Sequence, residues 1–401
     1  MLKIHGTGCA LMDYLYADIR LDSEVFQRYR SRKPGDGGLE PGKLVFVEDL
    51  ERFAGRPFSE ILSELSGGRK PDRANLGGPS VVALIHAAQM LEDNLEDPFE
   101  ANGAQVQFYG ARGNDESGQA LMHIVAQVPL ETTEYRVLKG KTPFTQVFSD
   151  PTYDHGERTF VNCRGVADLY SADYLPQSFF DADIVAFGGT ALVPPLHDTL
   201  ASLCRRAQHE SAIVVVNTVY DFRYERDNPS RCWRLGGDED AYPWIDVLIV
   251  DREEALKLSG AKNIEGALAY FKAQGTSASI ITDGARDIHF YSDGRLFAPR
   301  EASLAVSAEV TKVLQSPDKP QGDTTGCGDN FVGGVLASLA LQSKAGCKRG
   351  SFDIIRTCEM AIVSGGFACF YLGGTYLERY PGEKREKVMH LLDLYHTQHQ
   401  G

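Results

Sequence analysis

A short segment near the C-terminal end, Asp323-Thr324-Thr325-Gly326-Cys327-Gly328-Asp329, carries the residues best suited to chemistry. Apolar residues follow it at helical spacing and predict that a helix begins there: Phe331, Val332, Val335, Leu336 and Leu339. Glycines let backbone N–H groups approach an anion, and a helix N-terminus adds partial positive charge. Such an anion hole favours phosphoryl transfer, with Asp329 placed to accept the proton of an attacking hydroxyl group. A capped helix after a glycine turn, with Asp329 as a first-turn acid, explains the same residues.

The segment resembles the signature of the ribokinase-type (PfkB) carbohydrate kinase family, Asp-Thr-x-Gly-x-Gly-Asp before a helix. The resemblance implies that Asp329 is the catalytic base. It also implies that the amides of Gly326, Cys327 and Gly328 hold the charge of the transferred phosphoryl group. Cys327 stands where the family usually has Ala, a change that a position contributing only its backbone should tolerate.

Two further segments resemble the parts of that family that bind the phosphate acceptor. Gly8-Cys9-Ala10-Leu11-Met12-Asp13 follows an expected N-terminal strand and matches the family's Gly-x-x-x-x-Asp. Asp13 would bind acceptor hydroxyl groups, since a carboxylate can accept two hydrogen bonds from a diol. Gly77-Gly78 precedes an apolar helix and resembles the di-glycine substrate loop. A turn acid and a turn before a buried helix explain the two segments equally well.

One departure from the family concerns acceptor recognition. The family usually has an Asn a few residues beyond the two glycines, where this chain has Val81 and Val82. We therefore expect the acceptor to be recognised differently from that of the standard sugar kinases.

The second half of the chain resembles the nucleotide side of the family. The β-branched run 213–216 predicts a central parallel strand that ends at Asn217, where sugar kinases commonly have Asp. Asp251 and Glu254 resemble the family's Asn-x-x-Glu element, which implies that they organise phosphate and Mg2+, the ion through water. An acidic first helical turn explains the same pair.

ATP with Mg2+ is the phosphoryl donor that the resemblance implies. It implies nucleotide contacts at four residues: Thr282, Gly284, Asp323 and Thr324. Asp287 stands where the family expects a second glycine after Gly284. A monovalent cation, K+, is also known in the family, where carbonyl groups near Asp323 and Thr325 would bind it.

A small β lid is expected to close over the acceptor. Strands are predicted at 145–148 and 158–161, around a turn at 154–157, and the family has its lid hairpin there. The whole lid is expected from about 14–50 and 143–163. Closure suits phosphoryl transfer because it excludes water, which would compete for the phosphoryl group.

Asp115 or Ser117 is expected to cap a helix after the strand at 106–109.

Strands and helical segments alternate throughout, which predicts an α/β fold with a doubly wound, mostly parallel sheet flanked by helices. The family resemblance makes this a ribokinase-like fold with a small β-sheet lid. No repeat or linker divides the chain, so a single kinase domain is expected over 1–401. Residues 20–70 form a long insertion that resembles adenosine-kinase-like members, and the polar segment 316–321 predicts an extra loop.

Composition excludes several classes of protein. With 43% hydrophobic and 24% charged residues, the chain can build a large core. Its net charge of −14 argues against binding to nucleic acid or to an anionic membrane. Neither a transmembrane helix nor a signal peptide is indicated. The eight cysteines stand singly, which indicates reduced thiols and a cytoplasmic location. His396 and His399 are interpreted as part of a solvated tail.

The predicted function is ATP-dependent phosphorylation of a hydroxyl group on a small sugar. A nucleoside, as in adenosine-kinase-like members, is the alternative acceptor, and an exposed lid edge would permit a homodimer. A non-catalytic regulatory protein that binds a sugar or nucleotide is the alternative of another class. The retained Asp329 argues against it, whereas the changes at Val82, Asn217 and Asp287 argue for it. A dehydrogenase is disfavoured, because residues 5–11 lack the third glycine of a dinucleotide-binding fingerprint.

Overall fold

The computed structural model describes residues 1–33, 35–92, 103–153, 157–237 and 240–398. The expected turn around 154–156 and the tail residue His399 lie outside them. The described residues form fourteen strands, numbered in chain order: β1 Leu2–Gly8, β2 Leu11–Tyr16, β3 Leu44–Phe46, β4 Arg73–Gly77, β5 Ala104–Gly113, β6 Tyr135–Leu138, β7 Phe144–Asp150, β8 Glu157–Cys163, β9 Ile184–Gly188, β10 Ile213–Asn217, β11 Val247–Asp251, β12 Ala278–Thr282, β13 Ile288–Ser292 and β14 Arg300–Leu304.

The same residues form fifteen α-helices: α1 Glu24–Tyr29, α2 Val47–Ala54, α3 Phe58–Ser66, α4 Pro79–Leu91, α5 Glu116–Val125, α6 Gln177–Phe180, α7 Pro194–His197, α8 Leu200–His209, α9 Phe222–Asp227, α10 Arg252–Ser259, α11 Ile264–Ala273, α12 Ala308–Gln315, α13 Cys327–Lys344, α14 Ile354–Ala368 and α15 Glu383–Gln398. Asp115 caps α5 by accepting a hydrogen bond from the amide of Gly118. None of the helices described is long and apolar enough to cross a membrane.

Nine strands form the large sheet, in the order β14-β13-β12-β11-β10-β9-β1-β5-β6. The strands from β12 to β6 in this order run parallel, and β13 and β14 add an antiparallel edge. From β1 the chain builds β5 and β6 on one side and later β9 to β12 on the other. Ligands of such sheets bind outside the carboxyl ends of the strands where the order reverses, here between β1 and β9. The predicted doubly wound, mostly parallel sheet is confirmed.

Helices cover both faces of this sheet because its central strands carry apolar side chains on both sides. Every residue of β10 is buried, as its β-branched run predicts. On one face, Ile4 and Val215 join a core with α4, α13, α14 and α15. On the other face, Val185 and Val214 join a second core that includes α8, α10 and α11.

Five strands form a second, small sheet in the order β3-β8-β7-β2-β4. Its β7 and β8 are the predicted antiparallel hairpin. Strand β4, at Arg73–Gly77, pairs with β2 and lies outside the segments 14–50 and 143–163 that the sequence indicated for the lid. The sequence Arg-Ala-Asn-Leu-Gly lacks β-branched residues, and its pairing with β2 holds it in the sheet.

The insertion at 20–70 packs against the small sheet. Helices α1 to α3 bury Phe26, Leu50 and Ile61 in one apolar cluster with Phe148 of β7 and Val161 of β8. The insertion therefore shields one side of the small sheet from water. The polar segment 316–321 connects α12 and α13 without a helix or strand of its own.

Candidate active site

A cavity of about 600 Å³ lies between the small sheet, the start of α4 and the segments 323–325 and 371–377. This volume is within the usual range for sites that bind small organic ligands. Four of the predicted site residues line it: Asp13, Gly78, Asp323 and Thr325. The polar lining residues that sequence reasoning missed are Arg73, Asn75, Thr145, Arg158, Tyr371, Thr375 and Tyr376.

Asp13 is half-buried within β2, opposite Asn75 of β4 and Thr145 of β7. Burial is the main reason why its pKa is raised to about 7, and the negative charges of Asp329 and Asp323 act in the same direction. A hydrogen bond from the Thr145 side chain opposes the shift. The fold therefore brings three of the predicted acidic residues into electrostatic contact.

Gly77, the last residue of β4, and Gly78, which follows it, are required by close packing against β2 and the residues just before β2. A Cβ atom on Gly77 would lie 1.9 Å from Oδ2 of Asp13, so a side chain there would displace the carboxyl group. Gly78 has a φ of +106°, and a Cβ atom there would lie 2.7 Å from the carbonyl oxygen of Cys9. Gly77 therefore sets the position of the Asp13 carboxyl group.

The signature segment turns sharply into α13. Gly326 is the N-cap, with a φ of +75°, and a Cβ atom on it would lie 2.4 Å from the Cα atom of Gly374. Cys327 and Gly328 form the first positions of the helix, where N–H groups lack partners within the helix. The amide of Cys327 makes a long hydrogen bond, 3.4 Å, to the carbonyl group of Thr324. These N–H groups at a helix N-terminus have the geometry of an anion-binding site.

The side chain of Cys327 lies beside a second thiol. Its Sγ atom is 3.3 Å from Sγ of Cys369, which follows α14. The hydrogen bond with Cys369, followed by burial, raises the pKa of Cys327, so its thiol stays protonated. Its backbone forms the first position of α13, and the family usually has Ala at this position.

Asp329 is half-buried in the first turn of α13. Burial raises its pKa to about 6. Its negative charge raises the pKa of Asp13 on the acceptor side and that of Glu254 on the opposite side. Asp329 is thus within electrostatic reach of both predicted halves of the site, with a pKa suited to accepting a proton near neutral pH.

Arg158 connects the small sheet to the signature. Its guanidinium group donates a hydrogen bond of 3.2 Å to Oγ1 of Thr325 and lies 3.7 Å from Oδ2 of Asp323. The other carboxylate oxygen of Asp323 accepts hydrogen bonds from the amides of Thr325 and Gly373. Asp323 therefore ties the signature to the 371–373 segment, while Thr324 is exposed.

The predicted nucleotide-side residues lie at the carboxyl ends of neighbouring strands. Asn217 ends β10 and pairs in register with Gly188 of β9. Asp251 ends β11 and pairs with Thr282 of β12. Beyond β12, Gly284 is exposed with a φ of +60°, and no described atom lies within 4 Å of where its Cβ would be. These residues do not line the 600 Å³ cavity but share the same edge of the large sheet.

Asp251 and Glu254 form a capping box at the start of α10. Asp251 accepts a hydrogen bond from the amide of Glu254, and the Glu254 carboxyl group accepts from the amide of Asp251 and, at 2.5 Å, from the Thr218 hydroxyl group. Burial, followed by the charge of Asp251, raises the pKa of Glu254 to about 8. The expected acidic first turn is thus present. Because the charge of Asp251 disfavours ionisation of Glu254, a nearby cation would stabilise both carboxylates.

Asp251 and Glu254 are the acids that the sequence assigns to Mg2+. Within the part of the chain that the structure describes, no three His, Cys, Asp or Glu side chains converge as a metal-binding group. Asp251 and Glu254 already accept hydrogen bonds from the protein, yet carboxylate oxygens retain further lone pairs. This donor set fits Mg2+ held through its water molecules, since Mg2+ dehydrates reluctantly.

The large, mostly parallel sheet and the small sheet that lines the cavity give the protein a ribokinase-like α/β architecture. Residues 100–375 match the pfkB family carbohydrate kinase model. The chain therefore belongs to the pfkB carbohydrate kinase family, and it is an ATP-dependent phosphotransferase. Kinases of this family use ATP with Mg2+.

Individual relatives span most of the chain at low identity. Aminoimidazole riboside kinase of Salmonella typhimurium is 26% identical over 255 residues, which are 61% of this chain and 70% of the relative. Adenosine kinase from Sinorhizobium meliloti is similar in structure, with a TM-score of 0.67 and 16% identity over 97% of this chain and 99% of that chain. A putative ribokinase II from E. coli in complex with ATP and Mg2+ has a TM-score of 0.60 and 16% identity over 99% and 100% of the two chains.

Proposed function

We propose that the protein transfers the γ-phosphoryl group of ATP to a hydroxyl group of a small sugar, with Asp329 as the catalytic base. The observation that carries this proposal is the place of Asp329 in the first turn of α13, from where its charge acts on Asp13, which lines a cavity of about 600 Å³. One carboxyl group would bind the acceptor, and the other would take the proton that the acceptor must lose.

Asp13 orients the acceptor by accepting hydrogen bonds from neighbouring hydroxyl groups. Asp329 then accepts the proton of the attacking hydroxyl group as its oxygen bonds to phosphorus in line with the departing ADP. The amides of Gly326, Cys327 and Gly328 offset the charge on the phosphoryl oxygens. The small sheet closes the site, so that the acceptor rather than water receives the phosphoryl group.

The nucleotide would lie along the carboxyl edge of the large sheet, near Thr282, Gly284, Asp323 and Thr324. Bound Mg2+ supplies positive charge to the phosphate oxygens, and Asp251 and Glu254 would hold it through its water molecules. The proposal that K+ also binds depends on the family resemblance alone. Because Arg158 engages the side chains of Asp323 and Thr325, that ion would have to bind main-chain carbonyl groups there.

The direct test is ADP release from Mg-ATP with a panel of pentoses, hexoses, ketoses and nucleosides. We expect ADP release that depends on one sugar or on a small group of related sugars. Release at the same rate with and without every acceptor would contradict the proposal, as would folded, ATP-binding protein that is silent across the whole panel.

A nucleoside is the second candidate acceptor, and the wall of the cavity favours it. Apolar and aromatic side chains make up much of the lining: Leu11, Leu15, Leu44, Val147, Phe160, Leu372 and Leu377. A flat apolar base would bury against such a surface, whereas a bare sugar presents mainly hydroxyl groups. In the same panel, turnover with ribosides that carry a base and none with free ribose would select this candidate.

Replacing Gly77 with Ala should disrupt acceptor binding. The new Cβ atom would meet Oδ2 of Asp13 at 1.9 Å and displace the carboxyl group. Because a misplacement of about 1 Å can reduce the rate about 10²-fold, we expect kcat/KM for the acceptor to fall by that order. The KM for ATP should stay within about twofold, since the atom that the new Cβ meets belongs to Asp13, the proposed acceptor residue. Gly266→Ala in α11 is the control, because Gly266, like Gly77, has no positive φ and the new Cβ atom would lie no closer than 3.0 Å to its nearest neighbour.

Activity should rise with pH between about 5 and 7.5. Asp329 must be deprotonated to accept a proton and Asp13 to accept hydrogen bonds, and their pKa values are about 6 and about 7. Protonation therefore removes activity as the pH falls, with a slope of log(kcat/KM) approaching about 2 below pH 6. A pH profile of kcat/KM measures this. A flat profile from pH 5 to 8 would contradict both assignments.

A further inference from the structure

A buried lysine lies directly behind the signature. Lys384, the second residue of α15, is 1% exposed. Its Nζ atom donates hydrogen bonds to Oδ1 of Asn330, at 2.8 Å, and to Oε1 of Gln89, at 3.1 Å. The ring of Tyr371 lies 5.8 Å from the same atom. This side chain of the C-terminal helix therefore contacts the residue that follows Asp329 in the chain.

Asn330 links that lysine to the anion hole. It is fully buried, and its Nδ2 atom donates to the carbonyl groups of Gly326, at 2.8 Å, and Gly374, at 2.9 Å. Its Oδ1 atom accepts from Lys384 and, at 3.1 Å, from the Tyr371 hydroxyl group, and it lies 2.9 Å from Nδ1 of His86. Gly326 is the N-cap of α13, so the Asn330 amide holds the glycine whose geometry aims the first N–H groups of the helix.

The lysine is one of three side chains around Oδ1 that set the direction of the Asn330 amide, together with Tyr371 and His86. Whether charged or neutral, the Lys384 amino group has at least two N–H donors, and both of its partners, Oδ1 of Asn330 and Oε1 of Gln89, are acceptors. Rotating the amide by 180° would place two donors against each other at Lys384 and two acceptors against each other at Gly326. Lys384 thereby keeps the Nδ2 atom directed at the Gly326 carbonyl group.

Packing alone does not account for an ammonium group at this place. Burial lowers the pKa of Lys384 to about 7, and Glu378 is the acid that most opposes this shift. Among the described residues, no carboxylate oxygen forms an ion pair with Nζ within 4.0 Å. An apolar side chain of similar length would fill this space without the desolvation penalty.

We propose that Lys384 is a positioning residue for phosphoryl transfer, which acts by orienting Asn330 so that its amide group fixes Gly326 and the first turn of α13. The inference rests on the proposed role of residues 326–328 as the anion hole. The competing explanation is that Lys384 only anchors α15 to the rest of the protein.

The kinetic test is a double-mutant cycle with Lys384→Met and Asn330→Ala. We expect each variant to lower kcat about 10- to 100-fold, the effect of disturbing donors to the phosphoryl group, while KM for the acceptor stays within about twofold. Because both residues act through one contact, the double variant should lose no more kcat than the more damaging of the two single variants. Lys387→Met on the same helix, which removes a lysine paired with Glu383 at 3.8 Å, should stay within about twofold of wild type.

Asn330→Asp separates positioning from anchoring. The aspartate is isosteric and still pairs with Lys384, so α15 stays anchored, but the donor to the carbonyl groups of Gly326 and Gly374 is lost. We expect this variant to melt no lower than Asn330→Ala, which also leaves Lys384 without this partner, and to lose kcat about as much. Wild-type kcat in Asn330→Asp, or losses that multiply in the double variant, would overturn the proposal.

Hydrogen–deuterium exchange tests the contact without any turnover. In the free protein, Lys384→Met and Asn330→Asp should speed exchange of amides in the peptide 323–332, and Lys387→Met should not. Faster exchange confined to 383–398 would show that Lys384 only anchors α15 and would overturn the positioning role. If the exchange result holds but the wild-type protein transfers no phosphoryl group, the proposed function has failed and the contact between Lys384 and the loop stands.

Discussion

Asp329→Asn is expected to lower kcat by a factor on the order of 10²–10⁴, the usual contribution of general-base catalysis. Asparagine has nearly the same shape but cannot take the proton of the attacking hydroxyl group. Binding of Mg-ATP, measured by calorimetry, should change little, because the carboxyl group acts on the acceptor. The pKa of Asp13 should also fall, since the charge of Asp329 helps to raise it.

A loss of helix stability is the competing explanation, since Asp329 is also a first-turn acid that interacts favourably with the helix dipole. Glu265→Gln removes an exposed first-turn acid from α11 and is the matched control. It should leave kcat within about twofold and change the free energy of unfolding by at most about 1 kcal/mol. If Asp329→Asn lost no more activity than this control, Asp329 would not be the base.

The parts of the site that could be predicted from the sequence are those whose geometry depends on residues close together in the chain. Gly326 and Asp329 are three positions apart, and their places at a helix N-terminus follow from local backbone geometry. The same holds for Asp251 and Glu254, whose spacing of three is that of a capping box. In the fold, the β-branched run of β10 and the alternation of strands and helices were sufficient to predict the large sheet.

The parts that sequence reasoning missed depend on contacts between residues far apart in the chain. Arg158 reaches Thr325 across 167 positions, and Lys384 reaches Gln89 across 295. An arginine in a strand and a lysine in a polar helix carry no local sequence pattern that shows whether they are buried or which residues they contact. Strand β4 was missed for the same reason, because its pairing with β2 rather than its own composition makes it a strand.

These long-range contacts explain why the acceptor-binding half is harder to predict than the phosphoryl-binding half. The proposed anion hole is one continuous segment, whereas the cavity takes side chains from all five strands of the small sheet and from the 371–377 segment. Asn75 illustrates the consequence. The family's Asn after the glycines is replaced by Val81 or Val82, and an asparagine just before the glycines lines the cavity instead.

Asp13→Asn is expected to lower kcat/KM for the acceptor on the order of 10²-fold. A carboxylate can accept two charge-assisted hydrogen bonds, each worth about 1.5–3 kcal/mol, and asparagine replaces one of its oxygens with a donor. The KM for ATP should remain within about twofold. Asp72→Asn, at an exposed acid that accepts a hydrogen bond from the amide of Ala17, is the matched control on the small sheet.

Thermal melting distinguishes a binding role of Asp13 from a structural one. Its pKa of about 7 in the folded protein lies above the ordinary value of 3.8, so the folded state holds its proton more tightly than the unfolded state. Ionisation of Asp13 therefore destabilises the folded protein progressively as the pH rises from about 4 to 7. Asparagine has no charge to bury, and Asp13→Asn should melt at the same or a higher temperature than wild type at pH 7.5. A variant that is more stable yet binds the acceptor poorly would show that the Asp13 carboxylate is retained for the acceptor. A variant that melts lower and loses ATP and acceptor binding together would instead make Asp13 a structural residue.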